Sequence, residues 1–152
     1  MRDAARKRLL LVEAGGHRAG LPLASTHEVM RPLPIEPLAG APDFVLGLAV
    51  IRGASVPVVD LGGVLGRKGE ASAFRRFATL DVEGRAVALA LDSVTGVVDV
   101  ETDALADMPP LLGGAASQAV EALGLQDAGL LLVLRAARLV PAGVEQPEEA
   151  RP

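Results

Sequence analysis

Few residues in this chain could take part in bond-breaking chemistry. Cysteine is absent, and His17 and His27 are the only histidines. Without thiols there are no thiolate nucleophiles, disulfides or cysteine metal sites, and the composition fits a reducing compartment. Nucleophilic catalysis needs a hydroxyl within reach of a base that a third group holds in place. The one acid/base group on offer is His27 beside Glu28, with Asp92 brought near by folding, and it would define a small enzyme. Two histidines ten residues apart match no zinc spacing, and no His-Glu-x-x-His is present. The run Gly62-Gly63-Val64-Leu65-Gly66-Arg67-Lys68 superficially suggests a phosphate cradle. Its lysine follows an arginine and no Ser or Thr comes next to hold magnesium, so it reads as a flexible turn. Asp92, Asp99, Glu101 and Asp103 suit strand ends and solvated turns as well as they suit acid/base work. The expectation is no catalytic residue, no metal and no cofactor.

The composition is equally informative about what the chain binds. Half of its 152 residues are apolar, enough for one domain, and a fold of that size buries about 68–70% of the surface its unfolded chain exposes. Only 2% are aromatic (Phe44, Phe74 and Phe77) and the net charge is −4. Nucleic-acid binders usually carry a basic stripe with aromatics, and that footprint is missing. The apolar run Leu9–Val12 is interrupted by Glu13 and is too short for a signal-peptide core or a membrane span, so direct membrane insertion is not expected and the cytoplasm is the expected setting.

The elements that would position these residues are short strands. Leu9–Val12, a Gly15-Gly16 turn and Leu21–Leu23 read as a hairpin whose second strand is cut short by Pro22. Ser25 and Glu28 have capping-box spacing, which predicts a helical turn over Thr26–Met30 before Pro32 and Pro34 force the chain extended. Gly47–Arg52 and Ser55–Leu61 form the clearest hairpin, around Gly53-Ala54. Asp60 is placed to cap a short helix through Leu65, with Gly66 as its stop. Phe74–Val82 and Arg85–Leu91 flank the two-residue turn Glu83-Gly84, and Val94–Val100 continues β-rich. Asp107–Gln118 is irregular, Asp127-Ala128-Gly129 turns into the strand Leu130–Leu134, and Arg135–Leu139 adds a helical turn. Eight or nine short strands with regular turn signals predict an all-β barrel or sandwich with a few short helical turns. The chain divides into a single domain over residues 6–142 and a frayed acidic tail over 143–152.

The stretch from Phe44 to Leu61, FVLGLAVIRGASVPVVDL, resembles the signature of the CheW-like chemotaxis coupling family. His27-Glu28-Val29, Leu91–Val98 and Gly129–Leu134 are weaker matches in the same order. The resemblance implies two intertwined five-stranded SH3-like β-barrels around a shared core. It also implies an adaptor that couples the cytoplasmic tip of methyl-accepting chemoreceptors to the regulatory domain of a CheA-type histidine kinase, in the cytoplasm and associated with receptor arrays. A CheW-like scaffold in another pathway, motility or gene regulation, is the alternative. Carried over residue by residue, Glu28, Gly47, Arg52, Val94 and Val97 fall at or near the family's partner contacts, whereas Pro57 and Asp60 look structural. Arg52 could pair with Glu28 across the fold or fork onto a partner's carboxylate. Val94 and Val97 could fill a barrel or line an apolar groove. The chain departs from the family in its small, proline-broken Arg18–Pro22, in Ala122 where a glycine is usual, and in Gly62-Gly63 where a basic residue is common.

Overall fold

Leu9–Val12, Ala86–Leu91 and Leu130–Leu134 are continuous apolar runs with no polar alternation, as expected of strands covered on both faces. The computed structural model, which describes residues 5–69, 74–107, 118–126 and 129–141, shows what covers them. Its strands are β1 (Arg6–Ala14), β2 (His17–Pro22), β3 (Thr26–Met30), β4 (Val45–Ile51), β5 (Ala54–Asp60), β6 (Arg76–Val82), β7 (Arg85–Leu91), β8 (Ser93–Glu101), β9 (Ala106–Asp107), β10 (Val120–Gln126) and β11 (Gly129–Leu134). A short helix α1 (Leu61–Val64) follows β5, and single 3-10 turns cover Leu23–Ser25, Thr102–Ala104 and Ala136–Arg138.

The strands form two curled sheets, a first lobe in the order β8-β1-β2-β11-β10-β9 and a second in the order β3-β6-β7-β5-β4. The chain starts in the first lobe, builds the second from residues 26–91, then returns to finish the first, so the two are intertwined. Each lobe contains one parallel pair, β2 with β11 and β5 with β7. This is the all-β, two-lobed SH3-like arrangement expected. The strand count differs: the first lobe has six strands because the two-residue β9 pairs with β10.

The period of two along each strand sorts the apolar runs into three layers. Leu10, Val12, Leu132 and Leu134 from the first lobe meet Val87, Leu89 and Leu91 from the second in one shared core. The opposite faces of the same strands fill the lobes separately. Leu9, Leu131 and Val133 line the first interior, and Phe77, Ala88 and Ala90 line the second with Ile51, Val56 and Val58. Burying a Leu or Val side chain contributes about 1.5–3 kcal/mol, and a strand buried on both faces collects that at every position. β7 is therefore a keystone that leaves no room for a polar residue. Among the described residues, the buried polar side chain is Thr79.

Several local expectations change. Thr26–Met30 is strand β3 and not a helical turn: it pairs antiparallel with β6 and carries a bulge between Thr26 and Glu28. The capping box does not form, because the Glu28 amide donates to Thr79 Oγ1 (3.1 Å) and β-branched Thr26 and Val29 suit the ladder. β2 starts at His17 and runs through Pro22, farther upstream than its leucines suggest. β6 starts at Arg76 and not at Phe74. The hairpin turn between β4 and β5 is Arg52-Gly53, one residue earlier than Gly53-Ala54. The short helix after Asp60 forms as expected. Most of Asp107–Gln118, part of the loop at residues 66–71, Asp127 and Ala128, and the tail lie outside the described residues.

Candidate protein-docking site

Arg52 and Gly53 close a two-residue hairpin with φ of 53° and 81°, the paired left-handed conformations that such a turn demands. An arginine is uncommon there. The turn carries its guanidinium to the end of the second lobe, where it forks onto β3: Arg52 Nε donates to Glu28 Oε1 at 2.7 Å and Nη2 to Oε2 at 2.9 Å. Glu28 is held from behind, because Thr79 Oγ1 accepts from the Glu28 amide (3.1 Å) and donates to its carbonyl (3.3 Å). The bulge places His27 alongside, its Nε2 3.7 Å from Glu28 Oε1. The pair forms the lip of a cleft of about 200 Å³ whose floor is Ile51, Ala54, Val56, Leu80 and Ala86. Arg52 is 71% exposed while Glu28 is 24% exposed, so the carboxylate anchors and the guanidinium presents.

Hydrogen bonding to Arg52 holds the Glu28 carboxyl below its ordinary value, and the same bonds raise the Arg52 guanidinium. For a depressed carboxylate, the stabilisation is complete above the ordinary value of 4.5 and is lost as pH falls through the lower folded-state value. Glu28→Gln should therefore lower the melting temperature near neutral pH, and the gap to wild type should close as the solution is acidified. A gap that stays constant from neutral to acid pH would show that the pair adds nothing.

Gly47 is placed for backbone reasons. It follows a β-bulge on β4 and has φ of 146°. Its Cα abuts the extended segment at Glu36, and a methyl group there would collide with the Glu36 carbonyl. That close approach lets Glu36 and Leu48 exchange backbone hydrogen bonds of 2.7 and 2.9 Å, which tie residues 31–36 to the edge of β4.

Val94 and Val97 sit on edge strand β8 in the first lobe, apart from Glu28 and Arg52. An irregularity in the β1–β8 register pairs Leu11 with Gly96 and Val12 with Val94. Thr95 is thereby extra, so two valines three residues apart share one face. Val97 lies opposite Leu10 and Val94 opposite Val12, on the side that faces the shared core. Val94 packs against that core, while Val97 is 53% exposed where the cover ends. One valine of the pair thus packs inward while the other stays exposed on the same face.

The sequence missed the partner of Asp60. Asp60 caps α1 as expected, accepting from the Gly63 amide at 3.2 Å. Arg67 also forks onto it, Nη2 to Oδ1 at 2.6 Å and Nη1 to Oδ2 at 3.0 Å, and those bonds raise the Arg67 guanidinium. Only the seven-residue spacing across a helix and its glycine stop hinted at this. Asp60→Asn keeps a capping oxygen and removes the ion pair, so it should cost about 1–2 kcal/mol by urea denaturation. A loss below about 0.3 kcal/mol would place the pair with inert surface pairs.

The acid/base group suggested by the sequence is not assembled. His27 and Glu28 line the cleft of the second lobe, whereas Asp92 lines a separate depression with His17, Glu13 and Lys68. His17 Nε2 bonds the Gly66 carbonyl at 2.6 Å, and Asp92 accepts from the Gly15 amide at 3.1 Å. Both tie the β1–β2 hairpin to its neighbours. Among the described residues, no group of three His, Asp or Glu side chains is arranged to hold a metal, and no helix is long and apolar enough to cross a membrane.

The CheW-like domain family model matches residues 8–143, most of the chain. The chain belongs to the CheW-like domain family. A curated CheW-family relative, named chemotaxis protein CheW, from Rhizobium meliloti (strain 1021), is 28% identical over 95 residues, covering 62% of this chain and 61% of that protein. The match thus spans less than two thirds of the relative's length. The crystal structure of the scaffolding protein TtCheW from Thermoanaerobacter tengcongensis superposes with a TM-score of 0.74 at 21% identity, over 86% of this chain and 90% of that one. At that identity the likeness speaks for the CheW fold.

Proposed function

We propose that this CheW-family chain is a chemotaxis adaptor. It couples the cytoplasmic tip of a chemoreceptor to the regulatory domain of a CheA-type histidine kinase, in the cytoplasm at receptor arrays, and transforms no substrate. The observation that carries the reading is the Arg52–Glu28 fork at the lip of an apolar cleft, a charged and apolar surface on rigid strands. Such a surface can recognise a carboxylate next to an apolar side chain. Glu28, Arg52, Val94 and Val97 are the contact residues in this reading. Gly47 acts through the backbone, and residues 6–142 work as one unit because the lobes share a core.

The test is isothermal titration of the full chain with a receptor tip fragment and, separately, with the kinase regulatory domain. Saturable binding to each is expected, at modest affinity because arrays add multivalency. An absence of heat and of any mobility shift with both partners would remove the reading.

A further inference from the structure

The two lobes share an apolar core, and apolar burial has no directional preference. The core holds the lobes together, while their angle is set by contacts that do have a direction. Among the described residues these contacts gather at the two ends of β7, the strand buried in both the shared core and the second interior. At its first residue, Arg85 Nη2 donates to the carbonyl of Pro141, which follows the first lobe's last strand (2.8 Å). Beyond its last residue, Leu91, the tip of the β1–β2 hairpin meets residues 60–68 of the second lobe. The two places stand about 20 Å apart along the strand.

The contact at the hairpin tip is close. The Lys68 amide donates to the Gly15 carbonyl at 2.8 Å, and His17 Nε2 bonds the Gly66 carbonyl at 2.6 Å. Beside those bonds the two backbones touch. A methyl group on Gly15 would lie 2.7 Å from Gly62 Cα, and one on Gly62 would lie 2.9 Å from the Gly15 amide nitrogen. Gly15 has φ of 61°, so both the turn and the close approach call for glycine there. From the other side Asp92 accepts from the Gly15 amide at 3.1 Å and donates its own amide to the Glu13 carbonyl at 2.9 Å. Asp92 directly precedes β8, so the tip is tied at once to the strand that carries Val94 and Val97 and to the second lobe.

Arg67 closes this segment on itself. Its fork onto Asp60 joins the start of α1 to the loop that follows it. The guanidinium fills the space a Gly62 side chain would take, with Nη2 2.7 Å from where that methyl would stand, so it backs the Gly62–Gly15 contact. Arg67 is 21% and Asp60 14% exposed, and solvent screens such a pair less than one on the open surface. We propose that residues 60–68 form a strap that clasps the hairpin of the first lobe and fixes the angle between the lobes, with Arg67 as the residue that positions it. Its role in coupling rests on the adaptor reading. The strap sets the Glu28–Arg52 lip of one lobe at a fixed attitude to the Val94–Val97 margin of the other. Each partner meets one lobe and is indifferent to the angle when it binds alone, whereas simultaneous engagement depends on it.

Hydrogen exchange tests the strap, and binding tests its role, on wild type, Arg67→Ala, Arg67→Lys and Asp60→Asn. In Arg67→Ala, exchange at the Gly15 and Lys68 amides should speed up at least about tenfold more than at Leu89 in the shared core, the mark of local opening. An equal rise at all three amides would make Arg67 a general stabiliser and overturn the inference. Arg67→Ala and Asp60→Asn should bind the receptor tip and the kinase regulatory domain, titrated separately, within about twofold of wild type, because neither residue lies at a docking surface. With receptor fragment on vesicles, both variants at saturating concentration should bring down at least about threefold less kinase than wild type does. Arg67→Lys keeps a cation on Asp60 and should retain more coupling than Arg67→Ala. Should Arg67→Ala not fold, the comparison rests on Asp60→Asn, which keeps the oxygen that caps α1. Variants that couple kinase as wild type does overturn the inference and leave the adaptor reading standing, as does loss of single-partner affinity in proportion to the loss of coupling. Wild type that binds neither partner removes the adaptor reading and the coupling role of the strap together.

Discussion

Glu28→Lys is expected to weaken binding to the partner seated at the second-lobe cleft by about 10- to 100-fold, toward and below the lower end of what losing one side of a fully buried interfacial charge pair costs, because Arg52 is largely exposed. The carboxylate accepts both arms of the Arg52 fork. The substitution would put an ammonium beside the Arg52 guanidinium and would release the guanidinium from its set direction. Arg52→Ala should cost less, because it removes the presented cation and leaves Glu28 able to reach water. The charge swap Glu28→Arg/Arg52→Glu separates the two roles of the pair. It should recover the melting temperature, since an intramolecular pair is restored. It should not recover binding, since a partner carboxylate then meets an outward glutamate. Full recovery of binding would mean that the pair only scaffolds the lip.

Gly47→Ala should destabilise the fold by about 3 kcal/mol, because strained backbone and a steric clash act at one site. The φ of 146° is one that side chains rarely adopt, and the new methyl would run into the Glu36 carbonyl. Relief would require breaking the Glu36–Leu48 hydrogen bonds that hold residues 31–36 to β4. A loss of that size is a large fraction of the roughly 5–15 kcal/mol that holds a domain of this kind together. Denaturant unfolding followed by circular dichroism measures it. A variant as stable as wild type would show that residues 31–36 are not locked to the sheet through this glycine.

Much of this architecture was legible from residue order. Gly53 between valine-rich runs marks a hairpin because a turn glycine and β-branched strands each leave a compositional trace, although the turn itself falls one residue earlier than Gly53-Ala54. Asp60 before α1 reads as a cap for the same local reason. What was not legible depends on contacts between distant segments. Glu28 of β3 stands at capping-box spacing from Ser25, and only the pairing with β6, stitched by Thr79, makes the segment a strand. The shared face of Val94 and Val97 depends on the Thr95 bulge, which a strict alternation rule would place wrongly. The Arg67 fork on Asp60 and the Gly47–Glu36 approach both need the folded loop before they exist. The two-lobe core was implied only by the resemblance to the CheW-like family, and which face of each strand belongs to which layer follows only from the sheet order.

The coupling role itself is tested most directly by co-sedimentation of three components. Vesicles bearing the receptor's cytoplasmic fragment are spun down with the kinase while this chain is added in increasing amounts. The expected result is that pelleted kinase rises with added chain, saturates, and fails to rise with Glu28→Lys. Kinase that pellets to the same extent with and without the chain would contradict a coupling role.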